Sequence, residues 1–359
     1  MQKRIFRSKS TIYHLPPTNA GFSLVELIIV IAIIAIIATL GLASYNVEIQ
    51  NSTSSSLQSG LKNASKQLVV DQIRSSTGVY PATLAAANSG AGISFSSGTT
   101  VAYNVDNTDT PKTFCLSATQ RVQSYFITQE GTPLPGPCPV LYLDAGIQNS
   151  YSGTGMAWGD LSGLGNNGTL YNGVTYSSTG SGSLSFSGAN DYINTGNNSS
   201  LMPTSNVTVT AWIKTSAIGN YRTVLSKGYD ATDGGFAMRI TRDSEPINLF
   251  FQVYNTTGTL ASAGAYNDIA NGNWYYAVGT YDGSNVRLFV NGVQIGSAAP
   301  LTGNIKSNVL PVKIGVASTA SAVTEYYSGQ ISEIRIYNSA FGTTDITNSF
   351  NALRSRYGL

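Results

Sequence analysis

Charge is scarce in this sequence. Asp, Glu, Lys and Arg make up 11% of its 359 residues, where a soluble domain carries about a quarter. There is one histidine, His14, and there are two cysteines, Cys115 and Cys138. Past residue 14 the chain therefore has no His general base, no Ser-His-Asp triad and no His metal ligand, and two cysteines cannot build an all-cysteine zinc site, which needs four. Basic residues are also not in surplus. Lys3, Arg4, Arg7 and Lys9 all precede residue 22 with no acid among them, and the remainder holds 16 basic against 18 acidic side chains. That balance argues against a phosphate-binding surface, so nucleic acid is not an expected partner.

What the chain does have is glycine (37 residues), tyrosine (21 residues) and one long apolar run. Phe22 to Ala43 is apolar except for Ser23, Glu26 and Thr39, close to the ~20 residues that cross a bilayer as a helix. The positive charges before it place the leader on the cytoplasmic side. Gly21 stands before the run, whereas a secretory cleavage site follows its apolar core. Read alone, this is a signal anchor. Glu26 is the odd member, because a carboxylate in a membrane helix is costly. Either it reaches interfacial headgroups or it has a dedicated partner.

The string GFSLVELIIVIAIIAIIATL, Gly21 to Leu40, resembles the class III signal of type IV prepilins. It has the basic leader, Gly at the cut, Phe as first mature residue, Leu-Val-Glu next and an apolar stretch after. The resemblance implies a leader over residues 1–21, cut after Gly21 by a membrane-embedded prepilin peptidase that then methylates the Phe22 amine. A glycine lets a protease approach the backbone closely. The resemblance also implies that Glu26 pairs with the Phe22 amine of a neighbouring subunit, since two charges desolvated together are tolerated better than one. Many members carry a proline part-way along this helix. Here Gly41 stands instead, which leaves any local loosening over Gly41–Ser44 to glycine alone.

Beyond the membrane, Leu57, Leu61, Leu68 and Ile73 fall roughly on one face. One helix is expected from Phe22 to about Ser76, with residues 22–43 in membrane or filament core. The Asn51–Ser56 stretch is its weak point by propensity. Residues 77–139 read as a small head. Val101–Tyr103, Thr113–Leu116 and Tyr125–Ile127 alternate as strands of a three- or four-stranded antiparallel sheet. Cys115 and Cys138 enclose 22 residues. In an exported chain a bridge is expected, stabilising by roughly 3 kcal/mol; the alternative is two free thiols. Pilins often close a disulfide near the end of this head. Gly131–Pro139 holds four of the twelve prolines and reads as a semi-rigid spacer, with a boundary at about residue 140.

Residues 140–359 hold all three tryptophans and 16 of the 21 tyrosines. Alternating runs recur, among them Val207–Lys214, Asn248–Tyr254, Trp274–Tyr281 and Val286–Val290. Asp282-Gly283 and Asn291-Gly292 are hairpin turns by composition, and the whole reads as a β-sandwich. DLSGLGNNGTL from Asp160, GSLSFSGANDYINTG from Gly182, then VTVTAWIK, WYYAVGTYDGSNVRLFVNGVQIG and YYSGQISEIRIYNSAF follow in an order that resembles the laminin-G-like, or concanavalin A-like, jelly roll. The expected architecture is thus an α+β pilin followed by an all-β jelly-roll sandwich. Trp212 and Trp274 read as core rather than sugar platforms.

That fold hosts calcium-assisted glycan or protein binding and also glycosidases. A glycosidase needs two carboxylates set across the scissile bond. The region has three glutamates, Glu245, Glu325 and Glu333, and no Glu-x-Asp-x-Glu strand. Glu333 is expected to face outward and pair with Arg335 on the surface. The resemblance makes Asn190 and Asp191 candidate calcium ligands. The second acidic cluster of pentraxin-like members would follow Ile314-Gly315, where VASTAS stands instead. Asp230 and Asp233 read as a solvated turn. No cofactor is expected beyond a calcium ion in this region, which the resemblance implies.

The expectation is a non-enzymatic structural subunit of a type IV pilus or related filament. It would sit as a single-pass protein in the cytoplasmic membrane before assembly and on the cell surface afterwards, displaying a lectin-like adhesion domain. Its partners would be its own copies, the prepilin peptidase, the assembly platform and a surface glycan or protein. The alternatives are a minor or tip adhesin, a type II secretion pseudopilin and a membrane-anchored glycan hydrolase.

Overall fold

The computed structural model describes residues 23–216, 219–242, 247–319 and 323–359. The leader, with His14 and Gly21, lies outside them, as do Phe22 and Glu245. Contacts divide the chain into two units, 1–52 and 53–359.

Helix α1 runs unbroken over Leu24–Arg74, through Gly41 and through the serine-rich stretch. Its first part is long and apolar enough to cross a membrane, and its side chains there are exposed. Ser23 opens it. The Glu26 amide donates to Ser23 Oγ at 3.2 Å, and the Ser23 amide donates to Glu26 Oε2 at 2.8 Å. This is a capping box, in which two N-terminal amides that the helix cannot satisfy are satisfied reciprocally.

In the second unit, Leu57, Leu61, Ala64 and Leu68 of α1 are buried against Phe114, Leu116, Ala118 and Ile127. Ile73, expected on the same face, is 77% exposed instead. Five residues at 100° each carry it about 140° around the helix from Leu68, outside the buried stripe. The sheet beneath has four antiparallel strands in chain order: β1 (Thr100–Asp106), β2 (Thr113–Gln120), β3 (Gln123–Thr128) and β4 (Leu134–Pro135). Cys115 and Cys138 form a disulfide.

The proline-rich string corrects the expectation of a spacer. Leu134 and Pro135 pair with β3 as the edge strand, a position proline tolerates because it needs no N–H there. Leu134 is buried with Cys115 and Phe126 of the head and Tyr142 and Leu161 of the following region. A stiff extended segment that buries its apolar side chains becomes part of the wall between two layers. The head and the sandwich therefore share a core.

The large region packs two antiparallel eight-stranded sheets, counted among the described residues. Leu141, Leu143, Val209, Phe236, Phe251, Leu288 and Ile334 lie in the core between them. The first sheet centres on Val207–Thr215, flanked by Tyr275–Tyr281 and Ser328–Tyr337. Its outer face is covered twice. Helix α2 (Thr343–Leu353) and the turn after it lay Ile346 and Tyr357 over Trp212, Tyr276 and Phe289, with the Trp212 and Tyr357 rings stacked at 3.8 Å. The head's Phe126 meets Tyr142 edge-on at 6.0 Å. The second sheet runs Leu260–Ile269, Ile247–Tyr254, Gly235–Arg242, Gly219–Lys227, Lys313–Ile314, Tyr192–Asn194, Gly168–Tyr171 and Ala157–Trp158.

Candidate functional site

On the second sheet, side chains alternate between the core and the opposite face. Phe236, Met238 and Ile240 enter the core, as do Leu249, Phe251 and Val253. The period of two then turns Arg239, Phe250, Gln252 and Tyr254 away from it. Arg239 lies directly between Phe250 and Thr223 on the neighbouring strands. Its guanidinium sits 4.7 Å from the centre of the Tyr221 ring, 5.0 Å from Tyr229 and 5.5 Å from Phe250. Tyr221 is 50% exposed and Tyr229 and Phe250 are half-buried, so the rings form an accessible platform around a nearly buried cation.

Each nitrogen of that guanidinium is held. Arg239 Nε donates to Glu325 Oε2 at 3.0 Å, Nη1 donates to Gln252 Oε1 at 2.9 Å, and Nη2 pairs with Glu325 Oε1. Thr223 Oγ1 donates to Glu325 Oε2 at 3.0 Å. Glu325 has φ +59°, a left-handed conformation that side-chain-bearing residues rarely adopt and that must be held by its surroundings. The ion pair neutralises the centre of the platform and fixes its geometry. Further along the same sheet, Tyr171 and Tyr192 stack at 4.8 Å with Lys313 Nζ 5.2 Å from the Tyr192 ring.

The sequence-predicted positions are distributed elsewhere. Trp212 is fully buried and Trp274 packs beside it, under α2. Asp230 caps a turn, accepting from the Thr232 and Asp233 amides at 2.9 and 2.7 Å. Asn190 is exposed, and its carbonyl accepts from Asn172. Asp191 is 2% exposed, and its two oxygens accept from the Ser187 amide, the Ser187 hydroxyl and the Asn190 amide. That carboxylate is already committed to tying its own loop, and these two residues as they stand do not fit a metal ion.

Glu333 is a correction. It was expected at the surface, yet it is fully buried, with Arg335 1% exposed and their ion pair at 2.8 Å. Asp144, also fully buried, lies opposite Glu333 in register and is held by Arg356 from the chain end. The strand is outward-facing at these positions, as its alternation implied, but the head and the C-terminal turn cover that face. Burial, with the Asp144 charge adding to it and Arg335 opposing, pushes the Glu333 pKa up to about 7. The folded state then holds a proton that the unfolded state releases, so this contribution is complete below the unfolded value near 4.5 and is lost as pH rises through about 7. Raising the pH from 5 to 8 should lower the melting temperature by ~5 °C, and Glu333→Gln should flatten that slope. Lys227, whose pKa burial lowers to about 8, begins to titrate only at the top of this window, and with the opposite sign. A slope unchanged in the variant would count against the assignment.

Sequence reasoning missed the Arg239 platform. Its signal was present in NLFFQVY, where every second residue is aromatic or amide on a strand whose other side is wholly apolar. The capping box was likewise legible as Ser-x-x-Glu at the start of an apolar run.

Two family models match. The prokaryotic N-terminal methylation motif covers residues 17–42, and the concanavalin A-like lectin/glucanases superfamily covers residues 187–347. Among solved structures, the binding domain of Paraclostridial Mosquitocidal Protein 1 is 16% identical, with 60% of this chain and 52% of that one covered and a TM-score of 0.48. The botulinum neurotoxin serotype G binding domain is 15% identical, with 60% and 51% covered and a TM-score of 0.47. Domain 4 of AbnA, a GH43 extracellular arabinanase from Geobacillus stearothermophilus in complex with arabinotriose, is 16% identical, with 59% and 97% covered and a TM-score of 0.46. The chain spans about half the length of the two toxin domains. No curated protein matches the sequence. The chain thus joins the methylation motif of type IV pilin-like proteins to a concanavalin A-like jelly roll.

Proposed function

We propose that the protein is a filament subunit of the type IV pilus kind, processed at Gly21–Phe22, polymerised through α1 and displaying a sandwich that binds a surface glycan without turning it over. The observation that carries the binding role is the outer face of the second sheet. Its partner sheet is covered by α2 and the head, whereas this face presents Tyr221, Tyr229 and Phe250 around a neutralised Arg239. Aromatic faces with amide and hydroxyl groups nearby suit stacking on sugar rings and hydrogen bonding to their hydroxyls. Glu325, the carboxylate at the centre, is committed to Arg239 and Thr223, which supports binding over hydrolysis. Weak single sites gain avidity when a polymer repeats them.

Electron microscopy of surface filaments, with mass spectrometry of their subunit, tests the filament role. The expected subunit begins at methylated Phe22. Genomic neighbours encoding a secretin and secreted hydrolases, in place of a retraction ATPase, would favour the pseudopilin alternative. A glycan array probed with purified filaments tests the face. Tyr221→Ala and Tyr229→Ala should each weaken retained binding about tenfold, the equivalent of one lost stacking contact. No ligand above background, with intact filaments, would make the sandwich a coat rather than an adhesin.

A further inference from the structure

The cluster of Tyr171, Tyr192 and Lys313 is used neither by the Arg239 platform nor by the filament helix. Strand alternation builds it. Leu170, Ile193 and Ile314 enter the core from three neighbouring strands, so the residues next to them leave the opposite face. Register sets those residues in two rows. Tyr171 lies opposite Tyr192. Thr169 lies opposite Asn194, and Asn194 lies opposite Lys313. Residues two apart on a strand are about 7 Å apart, and neighbouring strands about 5 Å. A row of hydroxyl, amide and ammonium thus runs alongside a pair of stacked rings. Tyr171 is 39% exposed, Thr169 is exposed, and Tyr192, Asn194 and Lys313 are half-buried.

The cluster is separate from the platform. The outward row continues from Lys313 to Ser226 and Ala237, and both of these are fully buried. Residues 325–327 pass between the two surfaces. The Glu325 carbonyl accepts from the Thr223 amide at 3.0 Å, and the Tyr327 amide donates to the Gly315 carbonyl at 2.8 Å.

Lys313 is the group that points to a ligand. On the neighbouring strand, Lys227 Nζ donates to the Leu310 carbonyl at 2.7 Å. Lys313 Nζ instead faces the Tyr192 ring, and among the described residues no carboxylate pairs with it. Burial alone acts on its pKa and lowers it, with no acid raising it back. An ammonium carries three N–H donors, and a ring face accepts none of them as an oxygen does. Beside it, Asn194 Oδ1 accepts from the Gly196 amide at 2.9 Å, which leaves the Asn194 NH₂ group as a donor. Partly desolvated positive charge next to free donors is complementary to an oxygen-bearing anion.

We propose that this patch is a second glycan subsite and that its occupant is an acidic oligosaccharide, with a sugar ring on Tyr171 and a carboxylate at Lys313 and Asn194. The proposal rests on the reading of the sandwich as a glycan-binding domain and adds the chemical class of the glycan. The strand of Tyr171 is two spacings, about 10 Å, from that of Lys313. That is longer than one sugar ring, so the stacking unit and the acidic unit are different sugars of one chain. At the platform the cation is already matched by Glu325. Charge therefore selects the ligand at this patch and not at the platform.

The test places the full-length chain in detergent on an array of uronic-acid oligosaccharides, each beside its carboxyl-reduced form. The acidic member of a pair should bind about tenfold more tightly, the equivalent of one hydrogen bond to a charged group. High salt should shrink that preference. Lys313→Gln should erase it and leave binding of the reduced forms unchanged. Lys313→Arg keeps the charge and should retain the preference, which separates loss of charge from loss of fold. Tyr171→Ala should weaken the acidic member more than the reduced one. Equal binding of acidic and reduced forms overturns the proposal while glycan binding stands, and so does a preference that survives Lys313→Gln. Binding of neither form overturns the reading of the sandwich as a glycan-binding domain, and the subsite with it.

Discussion

Glu26→Ala should lower filament yield about tenfold or more, while leader cleavage and the fold of residues 53–359 stay intact. Two roles meet at this side chain. In the single subunit it closes the capping box with Ser23. In the proposed filament it leaves that box for the Phe22 amine of a neighbour, and the exposed apolar face of α1 is buried among other helices. Glu26→Gln separates the two roles, because glutamine serves a capping box as glutamate does but carries no charge to meet an ammonium. If Glu26→Gln fails as Glu26→Ala does, the charge is what assembly needs. If Glu26→Gln assembles normally and Glu26→Ala does not, capping is the whole of its role and the intersubunit pair is wrong. Counting filaments by electron microscopy against subunit in the membrane fraction gives the answer.

Arg335→Met should destabilise the sandwich by about 3–5 kcal/mol, the cost of removing one partner from a buried pair. Arg335 reaches Glu333 at 2.8 Å and lies over Tyr142 at 4.4 Å and over the head's Phe126 at 5.5 Å. The variant strands Glu333 beside Asp144 with the head closed over both. The double variant Arg335→Met/Glu333→Gln should recover part of the loss, since no unpaired charge then remains. Thermal or urea unfolding of the three proteins at pH 7.5 measures it. A single variant within ~1 kcal/mol of wild type would mean that the network contributes nothing to holding the layers together. The same cluster gives Glu333 its raised pKa, so the pH slope and this set of variants report on one physical cause, the covering of a strand face that carries ionisable groups.

Much of the architecture was legible in the chain. Leu57, Leu61 and Leu68 mark the buried stripe of α1 because a helix repeats every 3.6 residues, and the same arithmetic rules Ile73 out once it is counted. Alternation in VTVTAWIK and NLFFQVY identifies strands, and Asn291-Gly292 identifies a hairpin. Glu333 and the Gly131–Pro139 string depart from expectation for related reasons. Local pattern says that Glu333 and Arg335 leave the opposite side of their strand from Ile334, but nothing local says what lies on that side. Alternating prolines say that a segment is extended, but an extended segment can bridge solvent or serve as an edge strand.

The chain by itself determined the elements and their order: a basic leader, an apolar helix opening with Ser-x-x-Glu, a small cystine-bearing head and a run of period-two strands. These follow from interactions between residues a few positions apart. Only the tertiary structure decided which strand faces are covered. Asp144 and Glu333 are 189 positions apart in sequence, and Thr223 and Glu325 are 102 apart, so their meeting depends on how sheets stack. One sheet's outer face was closed by α2 and the head, turning a surface ion pair into a buried one. On the other sheet Tyr221 stays 50% exposed, and alternate aromatics gather into a platform around Arg239. Burial is a property of what packs against a face, and for a β-sandwich that information is held between layers rather than along the strand.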